Sequence, residues 1–336
     1  MKIVGIGDLF IPAKYIAEGF IPLASKGHEV VTVDWPLESF EQLQAYNLII
    51  EQKGSEAVDM PESVLNVCRD ADVIITQFCP VNRTVVETCS KLKAVGVLRG
   101  GTENVCTALL QQKCIDLFNS PGRNAESVAD FTVGMLICET RNIARGYLGL
   151  KTGKWIREYP NSGAIPDLNG RTIGLVGCGA IGQKVARKLS GFDMHILGFD
   201  PYADDAKCKA YGIELTTLDR LLSESDYVSV HARLTEENRG MIGRLQLKQM
   251  KRGAYLINTS RAGLIDEEAL YEALASGHLA GAALDVFEHE PPQPDDPLVN
   301  LPNVTVTPHM AGGSNDAFFN TPKLLLSRMQ NWFDSH

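Results

Sequence analysis

The chain has 336 residues, 44% hydrophobic and 22% charged, an ordinary globular composition long enough for two domains. Its formal net charge of −9 speaks against a nucleic-acid or anionic-membrane partner, and no run approaches the ~18 consecutive apolar residues of a membrane span. The eight cysteines show no Cys-x-x-Cys pair and no metal-ligand spacing, so the expectation is no structural disulfide, no metal and a reducing cytoplasmic setting. The start, Met1-Lys2-Ile3-Val4-Gly5, does not read as a signal peptide, and no regulatory domain is expected after the last helix.

Lys2-Ile3-Val4-Gly5-Ile6-Gly7-Asp8 reads as a strand followed by Gly-x-Gly, and Val30 to Asp34 as a second strand ending in an acid. Gly5-Ile6-Gly7 begins like a phosphate loop, but Phe10 stands where the third glycine belongs, so this βα unit is not expected to hold a dinucleotide. Three more short apolar runs follow: Val73–Phe78, Ala94–Leu98 and Ile115–Phe118. The middle one ends at Arg99-Gly100-Gly101-Thr102. Such runs alternating with helical segments imply a parallel sheet covered on both faces. Asn119 to Asn124 is a breaker cluster, and Glu126 to Glu139 is a long helix apolar enough to be central core or a dimer face. Lys151 to Gly170 is polar and rich in proline and glycine, an irregular connection.

The alternation resumes at Thr172-Ile173-Gly174-Leu175-Val176, which runs into Gly177-Cys178-Gly179-Ala180-Ile181-Gly182 and a helix through Leu189. A strand His195–Phe199 then ends at Asp200. Strand, Gly-x-Gly-x-x-Gly, helix, strand and acid in this order form a dinucleotide-binding unit. Gly177 permits the tight turn, Gly179 admits the pyrophosphate and Gly182 lets the helix pack close. The N–H groups and dipole at the helix start favour phosphate. Asp200 would accept bonds from the ribose hydroxyls and repel a 2′-phosphate, which selects NAD over NADP. Cys178 reads as a space-filler. Further strands are Ile213–Leu215, Tyr227–His231, Ala254–Asn258, Ala282–Val286 and Val304–Thr307, and the tail from Asn315 to Phe333 reads as one helix. Ligands of an open α/β sheet bind beyond the carboxyl ends of the strands. Asp200, His231, Thr259 to Arg261, Asp285 and His309 therefore converge.

Three strand ends carry chemistry: Arg261 in Asn258-Thr259-Ser260-Arg261-Ala262-Gly263, Glu290 in Asp285-Val286-Phe287-Glu288-His289-Glu290-Pro291, and His309 in Thr307-Pro308-His309-Met310-Ala311-Gly312-Gly313. With the glycine loop, these motifs resemble the D-isomer-specific 2-hydroxyacid dehydrogenases, from about Leu92 to Gly313. That family includes D-3-phosphoglycerate, glyoxylate/hydroxypyruvate and D-lactate dehydrogenases. The resemblance implies a Rossmann NAD-binding domain at 122–309, inserted in a flavodoxin-like substrate domain made of 1–121 and 310–336, with a cleft that closes on substrate. It implies hydride transfer between NAD and a 2-keto acid or D-2-hydroxy acid. Arg261 would hold the substrate carboxylate and polarise the keto oxygen. His309 would be the general acid and base, oriented by Glu290, with Glu288 the runner-up carboxylate. His231, Ala232, Thr259, Ser260, Asp285 and Gly312 would line the cofactor, Asp285 at the nicotinamide carboxamide. Arg233 stands where the family's cofactor loop has a proline.

The family's substrate loop corresponds to Arg99, Gly100 and Gly101, and Arg99 replaces a usual glycine. Arg99, with Arg123 as a second candidate, would add positive charge and select a substrate with a second anionic group or several hydroxyls; otherwise it is a surface side chain. The resemblance further implies a homodimer through the NAD-binding domain. Two other readings stay open: an NAD(H)-sensing binding module of the same fold, corepressor-like, and a formate-type enzyme, against which Glu290 speaks.

Overall fold

The structure, a computed structural model, describes residues 1–336. The chain divides into two compact units, one of Met1–Asn124 with Ser314–His336 and one of Ala125–Gly313. All twelve expected strands form, and every pairing between them is parallel.

The first unit holds β1 (Lys2–Gly7), β2 (Glu29–Asp34), β3 (Val73–Thr76), β4 (Ala94–Val97) and β5 (Asp116–Asn119), in the order β2-β1-β3-β4-β5. This is the flavodoxin-like order, with its switch point between β1 and β3. β3 and β4 are buried throughout, whereas the edge strands β2 and β5 are half-exposed. Successive residues alternate faces, as the pleat requires. Val4, Ile6, Ile74, Val95 and Val97 join one core; Ile3, Val73, Ile75 and Ala94 join the other. The C-terminal helix Asn315–Ser335 completes the second of these cores with Leu325, Leu326, Met329 and Phe333.

The second unit holds β6 (Thr172–Val176), β7 (His195–Phe199), β8 (Ile213–Leu215), β9 (Tyr227–Val230), β10 (Tyr255–Asn258), β11 (Gly281–Leu284) and β12 (Val304–Val306). Their order is β12-β11-β10-β9-β6-β7-β8. Read from β8, it is the Rossmann order with one strand added, and its switch point lies between β6 and β9. The helix Ala125–Thr140 is core: Ala129, Met135 and Leu136 pack with Ile173, Tyr227, Tyr255 and Ile257. Its buried Glu139 is held by both oxygens at 2.8 Å from Arg145 Nη2 and accepts a 2.5 Å bond from Thr305. After the helix Ile143–Lys151, no regular element forms until β6.

Candidate active site

In the second unit the chemistry-bearing residues all follow carboxyl ends of parallel strands, so the strand order ranks them along one edge. His309 follows β12, Asp285 and Glu290 follow β11, and Arg261 follows β10. His231 follows β9, the glycine loop β6 and Asp200 β7. The candidate reacting groups occupy one half of the edge and the dinucleotide fingerprint the other.

The fingerprint fits a dinucleotide. Gly177 has φ +101°, and a Cβ there would stand 2.6 Å from the Ala232 amide nitrogen. A Cβ on Gly182 would stand 2.2 Å from the Gly177 carbonyl oxygen. Packing of the loop itself thus demands both glycines. A Cβ on Gly179, by contrast, would meet nothing within 4 Å, so that glycine keeps space that the protein leaves open. The helix Ala180–Leu189 starts there with no capping side chain, and the amides of Ala180, Ile181 and Gly182 are free for an anion. Asp200 closes the loop, its Oδ2 accepting from Cys178 N at 2.9 Å and its Oδ1 from Tyr202 N at 2.9 Å. Each oxygen keeps a lone pair for a hydroxyl. The Cys178 thiol is buried, and burial pushes it up to about 12, so it is no reactive thiolate.

His231 is bound through Nε2 to Ser229 Oγ at 2.9 Å, and its Nδ1 is buried without a partner. Burial pushes this imidazole down to about 4, so it is neutral at physiological pH. Arg233 beside it is exposed. The Thr259 hydroxyl bonds to Thr132 Oγ1 at 2.7 Å, and Ser260 Oγ donates to Asn258 Oδ1 at 2.9 Å. Asn258 also donates to the Arg261 carbonyl at 3.0 Å, which shapes the turn that presents Arg261. Thr132 and Ser229 thereby support the site. Lying mid-helix and mid-strand, they carry no signal visible in the sequence.

Arg261 is exposed; its Nη1 donates to the Ser260 carbonyl at 2.7 Å, and no carboxylate of the protein pairs with it. His309 Nδ1 lies 2.7 Å from Glu290 Oε2, and Glu290 Oε1 accepts from Phe287 N at 3.1 Å. With Nδ1 committed to the carboxylate, Nε2 is the ring atom left without a protein partner. Glu288, the alternative carboxylate, pairs instead with Arg239 at 3.3 Å. His309 itself has φ +47°, a left-handed conformation that a non-glycine residue adopts at a cost. Asp285 holds that turn. Its fully buried carboxylate accepts from Thr307 Oγ1 at 2.6 Å, Met310 N at 2.9 Å and Ala311 N at 2.9 Å. Asp285, expected at the nicotinamide carboxamide, also anchors the backbone that presents His309. Gly312 follows in the same turn, half-buried.

In the first unit the loop after β4 is not open. Arg99, 12% exposed, bonds to Asn47 Oδ1 at 2.8 Å and Glu51 Oε1 at 2.7 Å, lies 3.4 Å from Glu103, and stacks over Phe78. A Cβ on Gly101 would strike the Glu103 carboxylate, which therefore covers that glycine, while Gly100 is exposed and its carbonyl accepts from Asn119. Arg99 is neither a free surface cation nor an uncompensated one.

The family model for the NAD-binding domain of the D-isomer specific 2-hydroxyacid dehydrogenases matches residues 133–311. A glyoxylate reductase of Korarchaeum cryptofilum is 40% identical over 263 residues, 78% of this chain and 79% of that protein. A D-3-phosphoglycerate dehydrogenase of Methanocaldococcus jannaschii is 39% identical over 274 residues, 80% of this chain and 52% of that protein. The match thus spans about half the length of that relative. The NAD complex of a D-isomer specific 2-hydroxyacid dehydrogenase from Lactobacillus delbrueckii ssp. bulgaricus superposes with a TM-score of 0.79 at 23% identity, covering 100% of this chain and 98% of that one, a likeness of fold. The chain belongs to the D-isomer specific 2-hydroxyacid dehydrogenase family. Its cofactor is NAD, and residues 133–311 of its second unit match the family's NAD-binding domain.

Proposed function

We propose that this chain interconverts a 2-keto acid and a D-2-hydroxy acid by hydride transfer with NAD. The observation that carries the reading is the His309–Glu290 pair, with Nε2 unclaimed, on the same sheet edge as an Arg261 free of any carboxylate. A bound nicotinamide would supply or accept the hydride. Arg261 holds the substrate carboxylate in its planar fork and draws electron density from the keto oxygen. His309 delivers a proton from Nε2 to that oxygen on reduction and removes it on oxidation, while Glu290 fixes the ring and offsets the cationic form. Asp285 keeps the histidine's turn rigid, so the ring is positioned before substrate arrives. The backbone amides of Ala180, Ile181 and Gly182 would hold the pyrophosphate and Asp200 the ribose.

Two further readings belong with this one. Seven of the fifteen exposed large apolar side chains fall within residues 143–165, including Tyr147 at 64%, Leu148 at 62% and Trp155 at 82%. An apolar stretch of this density supports a homodimer built through the second unit. The eight unpaired cysteines and the negative charge support a cytoplasmic enzyme that acts on a small molecule and not on nucleic acid.

The test is NADH oxidation with a panel of 2-keto acids, with NADPH in parallel. The expected result is turnover with NADH that falls 10²- to 10⁴-fold in His309→Ala, the usual worth of a general acid. NADH binding without turnover of any 2-keto acid would favour the NAD(H)-sensing alternative instead.

A further inference from the structure

The first sheet has a switch point of its own, between β1 and β3, and the side chains leaving it are Asp8 and Gln77. Ile6 pairs with Thr76 in the register, so the two residues emerge from neighbouring strands at one edge. Both are buried, at 3% and 1% exposure. Asp8 Oδ1 accepts from Phe10 N at 2.9 Å and Ile11 N at 3.0 Å, but its Oδ2 has no partner. The Gln77 amide has none on either atom. Arg123 is the third member. Its guanidinium lies over Phe318 and acts electrostatically on Asp8, yet the two form no ion pair, and its Nη1 is buried without a partner. Asn104 Oδ1 and Ser120 Oγ are buried and unpartnered as well; Asn104 is tied to the Gln77 carbonyl at 3.3 Å, and Arg123 N to the Ser120 carbonyl at 3.3 Å.

A fold gains nothing from such groups. Buried polar atoms are normally paired, and each unpaired one costs its desolvation. At the dinucleotide loop of the second unit open groups have a ligand to meet; here the amide nitrogens of the corresponding turn are already taken, Phe10 and Ile11 by Asp8 and Ala13 by Asp34 at 2.7 Å. The open groups are side chains. They comprise a carboxylate oxygen that can only accept, a guanidinium nitrogen that can only donate, and an amide that does both.

We propose that Asp8, Gln77 and Arg123 form a recognition site for hydroxyl groups, so that the 2-keto acid used by this chain carries hydroxyls along its carbon chain rather than a phosphate. The proposal rests on the dehydrogenase reading above and names its substrate class. A hydroxyl donates once and accepts as well, so adjacent hydroxyls satisfy Asp8 and Arg123 together and leave the Gln77 amide a donor and an acceptor. An ionised phosphate only accepts; it would suit Arg123 and be repelled by Asp8. Arg99 does not redress that balance, since Glu51 and Glu103 already compensate it. Glyoxylate or pyruvate would leave all three groups unpaired. A site built to bond a substrate hydroxyl discriminates strongly against the analogue that lacks it.

The experiment compares NADH oxidation by the full chain with five- and six-carbon 2-ketoaldonic acids, pyruvate, glyoxylate and phosphohydroxypyruvate. The expected kcat/KM for the best ketoaldonic acid exceeds that for pyruvate by about 100-fold or more. Gln77→Leu and Asp8→Asn each lower that ratio about tenfold, mainly through KM. Thermal unfolding verifies that each variant folds. Should Gln77→Leu not fold, Asp8→Asn, which retains an acceptor for Phe10 and Ile11, carries the test. Phosphohydroxypyruvate as the best substrate, or equal losses on pyruvate and ketoaldonic acid, would overturn the hydroxyl site and leave the dehydrogenase standing. If no keto acid turns over while NADH binds, the dehydrogenase reading falls instead. Calorimetric titration of the NADH-loaded chain with a six-carbon aldonic acid then decides the site alone: binding that is lost in Gln77→Leu supports it, and no binding by the parent chain overturns it.

Discussion

Single side chains in this molecule are held at some cost, and two of the costs coincide with proposed function. His309 accepts a left-handed backbone, and the buried Asp285 carboxylate is devoted to keeping it there. Asp8 is the second case. Burial pushes its carboxyl up to about 6 from 3.8, against the bonds from Ile11 and Phe10 and the charge of Arg123, which pull it down; Asp34 adds to the rise. The folded state therefore holds the Asp8 proton more tightly than the unfolded chain. No penalty exists below pH ~4, where both states are protonated; it grows as pH rises through about 6 and then levels off. At its plateau it amounts to about 3 kcal/mol. Asp8→Asn mimics the neutral carboxyl. The variant is expected to melt above the parent at pH 8 and level with it near pH 4, as differential scanning fluorimetry across that range would register. A constant offset at all pH values would mean that the carboxyl titrates normally.

At the scale of elements, the two units share a strand-turn-helix opening and use it in opposite ways. After β6 the helix start is bare, and Gly179 faces open space. After β1 the same position is filled: Asp34, ending β2 as Asp200 ends β7, caps Ala13, and a Cβ on Gly7 would collide with both. The missing third glycine at Phe10 is the sequence mark of this difference. Separable roles for the glycines of the second loop follow from it. Gly179→Ala should fold with an unchanged melting temperature, since the added methyl meets no protein atom, yet lose roughly tenfold or more in NADH affinity by fluorescence titration. Gly182→Ala, pressed against the Gly177 carbonyl, should lose stability and affinity together. If Gly179→Ala binds NADH as the parent does, the phosphates lie elsewhere.

For the whole molecule, exposed apolar surface is unevenly distributed. The helix Ile143–Lys151 and the irregular connection after it carry Ile143, Tyr147, Leu148, Leu150 and Trp155 outward. A pocket lined by Ile137, Thr140, Leu168 and Phe192 opens from the same connection and holds none of the candidate site residues. Apolar residues left in water at this density are the observation that supports the proposed homodimer. Light scattering should give twice the chain mass for the parent and the single-chain mass for the double variant Leu148→Asp, Trp155→Asp, with NADH binding retained in the second unit. A monomeric parent would sink the homodimer.

Much of this was legible in residue order. Strand runs, the glycine fingerprint with Asp200, and the Arg261, Glu290 and His309 motifs could be read because each depends on local periodicity or on neighbours within a few positions. A strand's end is visible in sequence, and in a parallel sheet the strand ends share one edge, so the residues of the candidate site could be placed along that edge from sequence. Long-range pairing decided the rest. Asp285 proved to hold a turn some 25 positions away; Glu290 rather than Glu288 met His309; Arg99 found Asn47 and Glu51. Asp8, Gln77 and Arg123 look ordinary along the chain, as a polar residue after a strand usually does. Only tertiary packing withdraws water from them and leaves them unpaired, because burial and hydrogen-bond satisfaction belong to the assembled neighbours and not to any one residue.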